Sequence, residues 1–145
     1  ITEKEIQDLY LAREAVEGFA AKLLAGALSQ EQAQNIETAV RSEMGLKSNH
    51  KEEHFHANRT IHRTIVAQTG NGILLDMFDS IWNRGISIRS FSAYPIPNNQ
   101  DNREQHLLLL DQIKTGNVDE AETMMVAHIR EGLDNHVRWL HDERH

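Results

Sequence analysis

Apolar residues recur along most of the chain at steps of three, four or seven, the spacing of helices that bury one face. Over residues 2–28, Leu9, Val16, Ala20, Leu23 and Ala27 share one face and predict a long first helix. Ser29 opens the second, with Gln32 completing a capping box, and Ala33, Ile36 and Val40 carry its stripe to Gly45 and the polar stretch 47–50. A third helix holds Phe55, Ile61, Ile65 and Val66 and is stopped by Gly70-Asn71-Gly72. The fourth holds Ile73, Leu74, Met77, Phe78, Ile81 and Ile88 and must end before Tyr94-Pro95-Ile96-Pro97, where two prolines forbid continuation. A fifth over residues 98–114 carries the leucines 107–110 and Ile113, and after Gly116-Asn117 a sixth runs over about residues 119–142. No stretch alternates with period two. The pattern predicts an all-α fold, an antiparallel bundle of about six helices forming one domain over residues 1–145, without internal repeats.

Composition sharpens this picture. With 145 residues, 39% hydrophobic and 26% charged, the chain has the size and balance of one globular domain. Its formal net charge of -7, with no clustering of the basic residues, argues against a nucleic-acid surface. Without cysteine there is no disulfide, thiolate nucleophile or thiolate zinc site, so any metal must be held by His, carboxylate or amide. No apolar run reaches the roughly 20 residues of a membrane span, and no signal-type segment precedes the first helix. A soluble, cytoplasmic protein without membrane contact is expected, and the start at Ile1 suggests a portion of a longer chain. Nine histidines are the unusual feature.

Several polar residues fall in phase with the apolar stripes. Arg13 lies in line with Leu9, Val16, Ala20 and Leu23, and a buried guanidinium needs an anion, either Glu17 four residues on or a ligand. Asn58 and His62, spaced i, i+4, share a face with Phe55 and Ile65. His106 falls in phase with Leu110 and Ile113, and His128 with Ala121, Met124 and Met125. Three imidazoles and an amide from three helices suit zinc, nickel, copper or iron if those faces converge, although a single inward His is more often a hydrogen-bonded core residue than a ligand. His54 and His56, beside Glu52 and Glu53, read as surface residues. The pairs His50/His54 and His141/His145 also read as solvent-facing, and Trp82 and Trp139 as packing residues near the bundle surface.

The run Thr60-Ile61-His62-Arg63-Thr64-Ile65 leading to Thr69-Gly70-Asn71, with Asn58 four before His62, resembles the effector-binding (FCD) domain of FadR-type GntR transcription regulators. Arg103-Glu104-Gln105-His106, the run from Ile113 through Gly116-Asn117 to Ala121, and Met125-Val126-Ala127-His128 are similar to that family's last two helices, and Arg13 and Glu17 to its first-helix signature. The resemblance covers nearly the whole chain. It implies a divalent metal held by Asn58, His62, His106 and His128, and the donor chemistry of three imidazoles and an amide oxygen fits zinc or nickel first and manganese after them. Asn58 stands where the family usually has an aspartate, which should weaken the metal and leave the site more positive.

Family members also carry an N-terminal winged helix-turn-helix domain that these 145 residues lack, so the resemblance implies the sensor half of a regulator, with DNA bound only through the other half. About six helices suits the smaller, VanR-like group. The expected function is sensing: a small organic acid meets the metal and Arg13, with Arg84 a second anion partner, in a homodimer whose DNA-binding domains respond. Two other classes fit parts of the pattern. A metal-dependent hydrolase needs a general base, and no carboxylate stands out for it, since Glu104 lies on a different face from His106. A plain helical interaction module would leave the inward histidines hydrogen-bonded in the core.

Overall fold

The computed structural model describes residues 1–47, 49–84, 87, 89 and 99–143, the backbone alone at 99–103. Among these residues are six helices and no strand: α1 (Glu3–Leu24), α2 (Gln30–Met44), α3 (Lys51–Ala67), α4 (Gly72–Trp82), α5 (Asn99–Thr115) and α6 (Val118–Glu143). None is long and apolar enough to cross a membrane. Local chemistry sets the starts. Ser29 and Gln32 form the expected capping box, Thr2 and Glu5 form another at α1, and the side chains of Asn71 and Asn117 accept from the backbone N–H of Leu74 and Glu120. The Gly70-Asn71-Gly72 stop is thus also the start of α4, with Gly70 at φ +69° turning the chain between the two.

Helix α1 is the axis of the bundle, packing most extensively on α6 and also on α3 and α4. Paired positions along α1 and α6 run in opposite directions: Glu3 with His141, Tyr10 with His136, Glu14 with Arg130, and Gly18 against Val126. The ends of this pair meet where Gly26 and Gly116, both at positive φ, bring two backbones together. A Cβ on Gly116 would stand 3.2 Å from the Gly26 Cα. Antiparallel pairing repeats elsewhere. Arg63 forks onto Asp79 between α3 and α4, Gln32 reaches the Gln68 carbonyl from α2, and Gln112 meets Glu120 between α5 and α6. The core between these pairs holds Ile6, Ile36, Ile61, Ile65, Phe78, Leu109, Ile113, Met125 and Ile129, each at most 1% exposed.

Three expectations need correction. Leu23 is 44% exposed and Ala27 is exposed, because at 3.6 residues per turn the stripe through Arg13, Val16 and Ala20 arrives at Leu24. Ile73 and Met77 are exposed, and α4 ends at Trp82 with Asn83 as its C-cap; its apolar side is the line Leu74, Phe78, Trp82. Trp82 itself is fully buried, not near the surface. Ile88 and the Tyr94-Pro95-Ile96-Pro97 stop lie outside the described residues.

Between α1 and α6, His136 is buried with its Nδ1 3.1 Å from the Tyr10 hydroxyl. Burial lowers its pKa from 6.5 to about 4. As pH falls from about 6.5 toward 4, the unfolded chain takes up a proton that the folded one refuses, so stability declines through that window. Between pH 7 and pH 5, denaturant titration should show the parent losing about 1–2 kcal/mol more than His136→Gln. Equal losses would remove His136 from the acid response.

Candidate metal centre

Three helices each send one imidazole to a common point. On α3 the buried stripe Phe55, Ile61, His62, Ile65 sets His62 inward, fully buried. On α5, His106 sits one turn before Leu109 and Leu110, 1% exposed. On α6, His128 stands beside the buried Met125 and Ile129 and is itself half-buried. One ring nitrogen of each lies within 4.8 Å of one of each of the others, and the ring centroids are 5.1 to 5.4 Å apart.

Each ring also has an outward partner at Nδ1. His62 Nδ1 stands 2.5 Å from Glu17 Oε1, His106 Nδ1 is 2.8 Å from Glu43 Oε1, and His128 Nδ1 is 3.1 Å from Gln105 Oε1. With all three Nδ1 atoms turned outward, Nε2 is what each ring presents to its neighbours. The Nε2 atoms of His62 and His106 are buried with no hydrogen-bond partner among the described residues. Orphaned donors or acceptors of this kind are uncommon and costly. A neutral imidazole anchored at Nδ1 and bare at Nε2 is the form in which histidine ligates a metal, so this group could hold one ion. Burial holds His62 below its ordinary pKa, against the pull of Glu17. Burial holds His128 well below, with His62, His106 and Arg13 adding to the effect. Both stay in the neutral, ligating state.

Glu17 ties this cluster to the bundle. Its carboxylate, fully buried, accepts from Arg13 Nε at 2.9 Å and from Trp82 Nε1 at 3.3 Å while facing His62. Burial alone would raise its pKa, but Arg13 and His62 outweigh that and hold it at about 2. Arg13, 5% exposed, lies with its guanidinium carbon 4.4 Å from the centre of the Trp82 ring. The internal anion for Arg13 is therefore Glu17, in a desolvated pair unlike an exposed i, i+4 contact.

The other candidates fall as follows. Asn58 is half-buried one turn before His62 on α3. Arg84 is exposed in the bend past α4. His54 is buried, a correction to its surface reading, because it lies on the same side of α3 as Phe55 and Ile61; His50, His56 and His141 are exposed. His145 lies outside the described residues. Sequence reasoning missed Glu43, Gln105 and Trp82 as partners of the site. The signal for Glu43 was present, since it continues the stripe of Ile36 and Val40 by three residues. No comparable signal marks Gln105, whose role depends on α6 lying beside it.

A family model, the FCD domain, matches residues 8–131, a stretch containing all three histidines, Asn58, Arg13, Glu17 and Glu43. No curated protein and no solved structure matches the chain.

Removing the Glu17 carboxylate takes away the anion that a buried guanidinium and a buried imidazole both face. Glu17→Ala should cost about 3–5 kcal/mol in equilibrium denaturation of metal-free protein. Asp8→Ala, which breaks the exposed pair with Lys4, should leave the midpoint in place. A similar shift for both would show that burial does not set the weight of the Arg13 pair.

Proposed function

The chain belongs to the FCD family, and on that premise we propose that it is the ligand-sensing domain of a FadR-type GntR regulator of the VanR-like group. In this reading it binds a small organic acid at a divalent metal held by His62, His106 and His128 with Asn58 assisting. FCD domains are regulatory effector-binding domains, which makes sensing the natural use of such a site. The observation that carries the reading is the donor set: three imidazoles converge, His106 and His128 are hydrogen-bonded at Nδ1 while His62 Nδ1 faces Glu17, and the buried Nε2 of His62 and of His106 has no hydrogen-bond partner among the described residues. A plain interaction module gives no reason for those orphaned atoms.

Bound there, a zinc or nickel ion, or manganese, supplies positive charge and open positions for a carboxylate or hydroxyl. The chain's own residues do the rest. His62, His106 and His128 orient their donors through Glu17, Glu43 and Gln105. Asn58, with a neutral amide, adds no charge, so the site stays one unit more positive than with an aspartate. Arg13 lies close enough to lower the pKa of both His62 and His128, and it sets a fixed cation beside the effector's carboxylate. Arg84, exposed, is the lesser of the two anion partners. The carboxylates nearest the centre, Glu17 and Glu43, stand behind imidazole rings, and Glu104 is exposed, so none is offered as a general base for hydrolysis. Effector binding would shift helix packing in a cytoplasmic homodimer and alter the spacing of two winged helix-turn-helix domains on DNA. With a net charge of -7, the sensor leaves DNA to those domains.

Protein purified without a histidine tag should carry one divalent metal per chain by elemental analysis. His128→Ala should lose it and His141→Ala should keep it; equal loss in both would refute the ligand assignment. For the effector, Arg13→Lys leaves a cation for Glu17 but lacks the planar fork. Calorimetry of metal-loaded Arg13→Lys against a panel of organic acids should show full metal occupancy and roughly tenfold or greater weakening of carboxylate binding. Undiminished affinity would remove Arg13 from the effector site.

A further inference from the structure

Glu43 occupies a position at which a carboxyl group is hard to justify by stability. It continues the stripe of Ile36 and Val40, both fully buried, is itself 3% exposed, and lies in the last turn of α2, where the helix dipole disfavours an acidic group. A leucine there would extend the apolar face. Its carboxyl makes one hydrogen bond among the described residues, to His106 Nδ1 at 2.8 Å. Glu17 differs, because it also answers Arg13 and Trp82 and would be needed for the ion pair alone. Gln105 differs too, offering His128 a neutral amide oxygen at 3.1 Å.

We propose that Glu43 is a positioning residue of the metal centre: it keeps the His106 proton on Nδ1, so that the bare Nε2 faces His62 and His128. An imidazole has two neutral tautomers, and only the one protonated at Nδ1 leaves Nε2 free to ligate. The buried, unpartnered Nε2 of His106 is the atom this arrangement exposes to the centre. A carboxylate behind a ligating imidazole also makes it a stronger donor. α2 packs chiefly on α3 and α5, and through Glu43 it reaches the ligand set at His106. The inference rests on the metal reading for its purpose, but its geometric content holds without the ion.

The test therefore begins without metal. Nitrogen-15 spectra of the histidine rings in chelator-treated protein should show His106 protonated at Nδ1 in the parent and in Glu43→Gln, whose amide oxygen still accepts, and should show that preference lost in Glu43→Leu. With zinc as the probe, in competition with a chromophoric chelator, Glu43→Leu should bind about 10–100-fold more weakly. Glu43→Gln should recover most of the loss. Circular dichroism and melting of the metal-free variants separate this effect from misfolding. A parent His106 protonated at Nε2, unchanged zinc affinity in Glu43→Leu, or a Glu43→Gln as weak as Glu43→Leu would overturn the proposal. A parent that binds no zinc at all would sink the metal reading instead, and the metal-free tautomer would still decide the case for Glu43.

Discussion

The buried carboxylate of Glu17 is the constraint around which the bundle is arranged. An isolated charge at 0% exposure would be prohibitively expensive, and three elements share the work of answering it: Arg13 from α1, His62 from α3 and the Trp82 indole from α4. Each of those groups is itself buried. The result is a polar knot at the meeting of three helices, with the rings of Phe55 and Phe78 packed beside Trp82. Its geometry is narrow, because a carboxylate with three directional partners has few alternative arrangements.

The histidine cluster follows from that knot. His62 is held from behind by Glu17, and His106 and His128 are brought opposite it by the antiparallel pairing of α5 and α6. The outer partners grade from carboxylate at His62 and His106 to amide at His128, and burial grades with them, from fully enclosed to half-open. The side of the cluster nearest His128 is thus both the least tightly held and the most accessible. For a domain of an effector-binding family, that is the side on which exchange of a small molecule disturbs the fewest buried contacts.

Charge ties the site to the rest of the fold. Burial, with Arg13 and neighbouring imidazoles adding to it, lowers the affinity of His62 and His128 for protons, while Arg13 and His62 keep Glu17 ionised. The same carboxylate accepts from the Trp82 indole at the end of α4. One carboxylate thus joins the histidine cluster to α4, a helix that supplies none of the three imidazoles.

The sequence by itself determined the helical class, the capping box at Ser29, the stop at Gly70-Asn71-Gly72 and the inward phase of Arg13, His62, His106 and His128, because these depend on spacings of three to seven residues within one helix. It also held the trace of Glu43, in phase with Ile36 and Val40. It misplaced Leu23 and Ala27 at the end of α1, where small errors of period accumulate, and it put Trp82 and His54 nearer the surface than they lie. Periodicity reports which side of a helix is buried, but not which other helix covers it. Only the tertiary structure decided that three separate stripes meet at one point, that Glu17 is shared among Arg13, His62 and Trp82, and that Gln105 stands behind His128. Apart from the local Arg13–Glu17 pair, those contacts join residues 23 to 65 positions apart, and no local rule reaches that far.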